Sequence, residues 1–141
     1  MTDAFAGNLF DRAPWAYAKA AEWAGREGEF QKRAGFALMA MLAVHDKEAE
    51  DAAFLAFLPL VEREAGDARN YVKKGVNWAL RQVGKRNARL RRAAILCAKR
   101  VRAQGTPSAR WIAADALREL ERTRSRPRGK DQDAPRRRAS G

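Results

Sequence analysis

The feature that most constrains the fold is an apolar stripe that recurs, in the same helical phase, in three segments of the chain. Residues 29–42 (EFQKRAGFALMAML) align with residues 71–84 (YVKKGVNWALRQVG) at a shift of 42, and residues 108–120 (SARWIAADALREL) align with 71–83 at a shift of 37. The stripes are Phe30, Ala34, Ala37, Leu38, Met41; Val72, Val76, Ala79, Leu80, Val83; and Ala109, Ala113, Ala116, Leu117, Leu120. A two-helix repeat of about 40 residues is typical of HEAT-like solenoids. We therefore predict an all-α fold of HEAT-like helical repeats (an α-solenoid) with about three helix pairs, and an ordinary antiparallel helical bundle is the alternative.

Widely spaced glycine and proline residues predict where the helices begin and end. We expect helices near residues 2–11, 14–26, 29–44, 47–65, 68–85, 88–104 and 107–122, with no strand. Pro59 should kink or split the fourth, and Thr106 should cap the last, with Pro107 as its first residue. The predicted domain spans residues 1–122, and residues 123–141 should form a disordered basic tail because they lack apolar side chains.

The charge balance predicts a polyanionic partner. Lys and Arg number 29 and Asp and Glu 17, for a net charge of +12. The tail holds seven basic and two acidic residues, so the rest of the chain keeps a net charge of +7. Such an excess suits nucleic acid. The single cysteine, Cys97, lies on an apolar stripe and fits a reducing, cytoplasmic compartment. No apolar run is long enough for a membrane span.

A tryptophan stands among cations on the predicted outward face of the second repeat. Trp78 shares that sector with Lys74, Arg81 and Lys85. The corresponding sectors hold Lys32 and Phe36 in the first repeat and Trp111, Arg118 and Arg122 in the third. Cations with interleaved aromatic rings suit nucleic acid, because cations neutralise phosphates and rings contact sugars and bases. The alternatives are a core or inter-helix position for Trp78 and a solvated face for the cations.

Three segments resemble the DNA alkylation repair enzyme family, the AlkD-type DNA glycosylases: EFQKRAGFALMAMLAVHDK, RNYVKKGVNWALRQVGKRN and SARWIAADALREL. The resemblance covers residues 3–122, and VKKGVNWALRQ is its most specific part. It implies HEAT-like repeats that hold duplex DNA in a basic concave groove. It also implies hydrolysis of the N-glycosidic bond of cationic N3- and N7-alkylpurines, without a metal or an organic cofactor and without drawing the base into a pocket.

The resemblance also implies the site residues. Asp3 matches the second aspartate of the family's Trp-Asp-x-x-Asp motif, Arg33 matches an arginine of a later helix, and Trp78 matches a second tryptophan. Asp3 would stabilise the cationic sugar and position a water molecule, and Trp78 would contact the lesion. The implied catalytic residues are thus Asp3 and Trp78. The residues expected to bind DNA are Arg33, Lys32, Lys74, Arg81, Lys85 and Trp111.

The motif is incomplete in this chain, since Met1 and Thr2 fill its two variable positions and its tryptophan and first aspartate have no counterpart. Family members are longer, so we expect Met1 to be an internal methionine of a longer ancestral reading frame. Two other functions stay open: a non-catalytic DNA-binding HEAT-repeat module and a protein-binding HEAT scaffold. We expect a monomer with no metal site and no membrane association, and we interpret His45 and Asp46 as structural residues at a helix end.

Overall fold

The computed structural model describes residues 14–125, which form α-helices and contain no strand within that range. The predicted helix at 2–11 and the tail beyond residue 125 lie outside the described residues. The helices are α1 (14–24), α2 (Glu29–His45), α3 (Asp51–Leu55), α4 (Leu58–Glu64), α5 (Asn70–Gly84), α6 (Ala88–Ala103) and α7 (Pro107–Ser125). The all-α prediction is confirmed.

The helices pack as successive pairs. The second members of the pairs, α2, α5 and α7, lie side by side with α5 in the middle, while α6 packs against α3, α4 and α7. Most side-chain hydrogen bonds between helices join residues that are 36 to 43 positions apart, which is one repeat. Equivalent residues of neighbouring repeats therefore contact each other, and the predicted helical-repeat fold is confirmed.

Local chemistry accounts for the helix ends. The predicted fourth helix is split into α3 and α4, because Pro59 in the first turn of α4 has no N–H to donate to a preceding turn. Thr106 Oγ1 accepts a hydrogen bond from the backbone N–H of Ala109 at 3.1 Å, and Pro107 begins α7 as predicted. The turn before it needs Gly105, whose φ of +84° disfavours residues with a side chain.

The predicted core stripes are correct in two repeats and largely wrong in the first, where only Leu38 of the stripe packs against the described core. Every stripe residue of α5 and α7 is buried, whereas Phe30 and Met41 of α2 are 77% and 48% exposed. The opposite face of α2 is buried instead: Lys32, Gly35, Phe36, Met39, Ala40 and Ala43. Gly35 explains this choice, because a Cβ there would lie 2.4 Å from the backbone N of Ala24 in α1. Only this face lets the two helices approach so closely.

The predicted outward positions of Lys32 and Phe36 are therefore wrong. Phe36 is fully buried, and Lys32 is 8% exposed. Lys32 Nζ donates to Glu64 Oε1 at 2.6 Å and to Asp67 Oδ2 at 3.3 Å, so its charge is satisfied inside the domain. A buried cation needs such partners, because desolvation would otherwise make burial costly. Lys32 cannot reach a ligand on the surface from this position.

Within residues 14–125, no helix combines the length and the apolar character that crossing a bilayer requires.

Candidate nucleic-acid interface

A groove of about 420 Å³ lies between α2 and α5, and it brings together four of the predicted site residues. Arg33 and Ala37 form the α2 wall. The α5 side consists of Tyr71, Lys74, Gly75, Trp78 and Arg81. These α5 residues share one face because they recur at helical intervals of three and four. The groove thus combines Lys74, Trp78 and Arg81, which helical geometry placed on one outward sector, with Arg33, which the family resemblance implied.

Trp78 lies in this groove with its side chain partly exposed. Its neighbours in sequence, Asn77 and Ala79, are buried, as are the core residues Val76 and Leu80. The core face of α5 is therefore filled without the indole. Gly75, one turn before Trp78, places no side chain over the groove. The ring is neither enclosed by the core nor fully solvated, which leaves it able to contact a ligand.

Arg33 and Lys74 carry charges that no carboxylate among residues 14–125 neutralises through an ion pair. The guanidinium of Arg33 instead lies against the ring of Tyr71, with 5.4 Å from its carbon to the ring centroid. Both side chains are exposed. Arg33 and Lys74 therefore line the groove together with Trp78, and no carboxylate of the described residues competes with an anionic ligand for their charges.

Arg81 and Lys85 differ, because α7 supplies carboxylates to both of them. Arg81 Nη1 donates to Glu119 Oε1 at 2.8 Å, and its Nε lies 3.6 Å from Asp115 Oδ2. Lys85 Nζ also contacts Glu119. Asn77 Nδ2 donates to the same Asp115 at 2.7 Å and fixes this carboxylate between the two helices.

Hydrogen bonds and ion pairs across the α5–α7 seam hold the pKa values of both carboxylates below their ordinary range. A hydrogen bond from Asn77 is the main cause for Asp115 and outweighs the effect of burial. Burial raises the pKa of Glu119, but hydrogen bonds from Lys85 and Arg81 outweigh it. Both groups are therefore ionised at neutral pH and are effective partners for the two cations.

The sequence model of a protein family described as DNA alkylation repair enzyme matches residues 1–120. The chain belongs to the DNA alkylation repair enzyme family. No curated protein and no solved structure matches it. The family indicates DNA as the partner, which agrees with the cations and the exposed aromatic rings of the groove.

In this member of the DNA alkylation repair enzyme family, Trp111 lies outside the α2–α5 groove. It is 40% exposed on α7, and Lys73 Nζ of α5 lies 4.9 Å from the centroid of its ring. The sequence did not predict a role for Lys73 or Tyr71. Lys73 contacts Trp111, which lies 38 residues further along the chain. Tyr71 could have been predicted, because it precedes Trp78 by seven residues and therefore lies on the same face of the helix. Asp3, the predicted catalytic carboxylate, lies outside the described residues.

A second cavity of about 500 Å³ lies near the C-terminal ends of α2 and α5, and its lining includes Arg86. Arg86 donates to the backbone carbonyls of Ala43 and Asp46, each at 2.9 Å, and to that of Ala49 at 3.2 Å. It also stacks over Phe54 at 4.1 Å. The first two bonds satisfy carbonyls at the end of α2 that the helix leaves unpaired, and the third holds the loop that follows. Arg86 therefore has a structural role in this member of the family.

Proposed function

We propose that the protein is a DNA glycosylase that binds duplex DNA in the α2–α5 groove and hydrolyses the N-glycosidic bond of cationic N3- and N7-alkylpurines. The observation that carries this proposal is the partly exposed Trp78 ring in a groove that is also lined by Arg33 and Lys74, two cations that form no ion pair with a carboxylate of residues 14–125. Membership of the DNA alkylation repair enzyme family supports it.

The chemistry of the lesion matches these side chains. An N-alkylated purine is positively charged and is already a good leaving group, so the barrier lies in the cationic sugar that forms as the bond breaks. The face of the Trp78 ring attracts a cation. Arg33 and Lys74 would hold the phosphates on either side of the lesion. We assign the stabilisation of the cationic sugar, and the positioning of water, to the carboxylate of Asp3.

One observation favours a second candidate, a DNA-binding module without catalysis. The groove lining, as far as residues 14–125 form it, contains cations, aromatic rings and small residues but no carboxylate. The described part of the molecule therefore holds the residues that we propose to bind DNA, and the proposed catalysis depends on Asp3. This makes Asp3 the residue that separates the two candidates.

Release of free 7-methylguanine from a methylated duplex tests the proposal. We expect release by the wild type, loss of release in Asp3→Asn with DNA binding retained, and about a tenfold slower rate in Trp78→Ala, the scale of a partly desolvated cation–π contact. Trp15→Ala is the matched control, since Trp15 is a 60% exposed tryptophan of α1 outside the groove. Salt-sensitive binding without any release would establish the second candidate, and absence of binding at low salt would refute both.

A further inference from the structure

Two carboxylates of α7 face polar and basic side chains of α5 at regular intervals along the helices. Asn77 pairs with Asp115 and Arg81 with Glu119, each at an interval of 38 residues, and Lys85 also contacts Glu119. A constant interval means that the two helices run in parallel and that each turn of α5 meets the corresponding turn of α7. The contacts thus follow from the packing of neighbouring repeats. This packing places α7 carboxylates within reach of Arg81, which lines the groove, and of Lys85, which lies on the same seam between α5 and α7.

The cations of α5 and α2 near the groove consequently fall into two classes. Arg33 and Lys74 have no carboxylate partner among the described residues, while Arg81 and Lys85 share Glu119. Asp115 is held in turn by Asn77 and Arg118, the latter at 2.8 Å, so it cannot turn away readily. A DNA phosphate would have to replace the ion pairs that Arg81 and Lys85 already form with α7. These ion pairs are preformed in the folded protein, so forming them costs no additional conformational entropy.

We infer that Asp115 and Glu119 withhold Arg81 and Lys85 from DNA, so that the groove neutralises fewer phosphates than its basic residues suggest. This inference rests on the proposed binding of duplex DNA in the groove. Its consequence is a lower affinity for undamaged DNA, since each phosphate contact adds a salt-dependent, sequence-independent contribution. Weak general binding would let the protein leave undamaged sites, while contact with the lesion through Trp78 is unaffected.

The salt dependence of binding to an undamaged duplex measures how many phosphates are neutralised. In a plot of log Kobs against log salt concentration, each phosphate contributes about 0.9 to the slope. Glu119→Gln releases Lys85 and one bond of Arg81, so we expect its slope to be steeper than that of the wild type by about 0.9 to 1.8. Its affinity at low salt should rise accordingly.

Glu62→Gln is the matched control, because it removes the same charge from α4, where Glu62 pairs with Arg100. We expect it to leave the slope unchanged. Equal slopes for Glu119→Gln and Glu62→Gln would overturn the inference. A wild type that does not bind DNA would instead refute the proposed function itself, so the two failures are distinguishable.

A second pair of variants covers the case in which Glu119→Gln fails to fold. Lys74→Gln should reduce the slope by about 0.9, because the proposed complex places Lys74 on a phosphate. Arg81→Gln should leave the slope at the wild-type value, because Arg81 is already neutralised by α7. An equal reduction in both variants would show that Arg81 contacts DNA and would overturn the inference.

Discussion

The guanidinium of Arg33 on α2 packs over the ring of Tyr71 on α5, with 5.4 Å between the guanidinium carbon and the ring centroid. This contact joins the two walls of the groove that holds Trp78. Tyr71 is 53% exposed and Arg33 is also exposed, so the guanidinium stays accessible to a ligand while it contacts the ring. The contact positions a charge without neutralising it, whereas the carboxylates of α7 neutralise Arg81.

Substitutions of these two residues should therefore have different effects on DNA binding. Arg33→Gln removes a charge and should reduce the slope of log Kobs against log salt by about 0.9. Tyr71→Leu keeps the charge, so its slope should stay unchanged while the affinity falls by about two- to fivefold, the scale of an exposed cation–π contact. Fluorescence anisotropy with an undamaged duplex measures both quantities. A reduced slope in Tyr71→Leu would show that the ring does more than position Arg33.

Lys32 should contribute to stability and not to DNA binding. Lys32→Met keeps the length of the side chain but leaves Glu64 and Asp67 without their shared cation. Removing one partner of a largely buried ion pair costs about 3 kcal/mol of unfolding free energy. The exposed pair of Arg100 is the control, and Arg100→Met should cost less than about 1 kcal/mol. Urea denaturation gives both values, and an altered salt slope for DNA binding in Lys32→Met would contradict its interior position.

The sequence predicts the α5 side of the groove well because α5 has one apolar face and one polar face. Once Val72, Val76 and Leu80 are assigned to the core, helical geometry alone turns Lys74 and Trp78 outward. The core face of α2 cannot be assigned in this way, because apolar residues occupy both faces of the helix. Phe30 and Met41 then look as suitable for the core as Phe36 and Met39 do. The close approach of α1 to Gly35 decides between them, and periodicity within α2 does not contain this information.

The ion pairs are the other part of the site that the sequence could not supply. The carboxylates that pair with Lys32 lie 32 and 35 residues further along the chain, and Glu119 lies 38 residues after its partner Arg81. These distances follow from the packing of neighbouring repeats, which helical periodicity does not determine. A basic residue on an outward sector can therefore be neutralised by the next repeat. This is why the predicted role of Arg81 and Lys85 in DNA binding needs an experiment.

Replacing two glycines of α5 with alanine should change the stability in opposite directions. A Cβ at Gly75 would lie 3.5 Å from the Cβ of Phe36, which is an ordinary contact, whereas one at Gly84 would lie 2.7 Å from Cδ2 of Leu120. Because alanine is the better helix former, Gly75→Ala should gain about 0.5 to 1 kcal/mol of stability. Gly84→Ala should lose about 1 to 3 kcal/mol through overpacking. Thermal unfolding of the two variants tests this, and equal melting temperatures would contradict the packing described for α5 and α7.

The ion pairs of Glu64 and Asp67 should make stability depend on acid pH. Hydrogen bonds from Arg69 lower the pKa of Asp67, and for Glu64 bonds from Lys32 and Arg63 outweigh the opposing effect of burial. The folded state then binds fewer protons than the unfolded state. The associated stability is fully present above the unfolded pKa values of about 4 and is lost as the pH falls through the lower folded values. Urea midpoints should therefore drop as the pH falls from about 5 to about 3, and less so in Lys32→Met; an equal drop in both would assign the effect to other groups.

Cys97 should be unreactive in the folded protein, although it is the only cysteine of the chain. The thiol is buried in α6, and its Sγ lies 3.7 Å from the carbonyl oxygen of Leu58. Burial, together with the nearby charge of Glu62, raises the pKa of this thiol to about 12. Only the thiolate attacks disulfide reagents, so at about pH 8 the folded chain should react with an aromatic disulfide about a thousandfold more slowly than the urea-unfolded chain. Glutathione provides the control for reagent activity. Rapid labelling of the folded protein would mean that α6 separates from α4 much more readily than this packing allows.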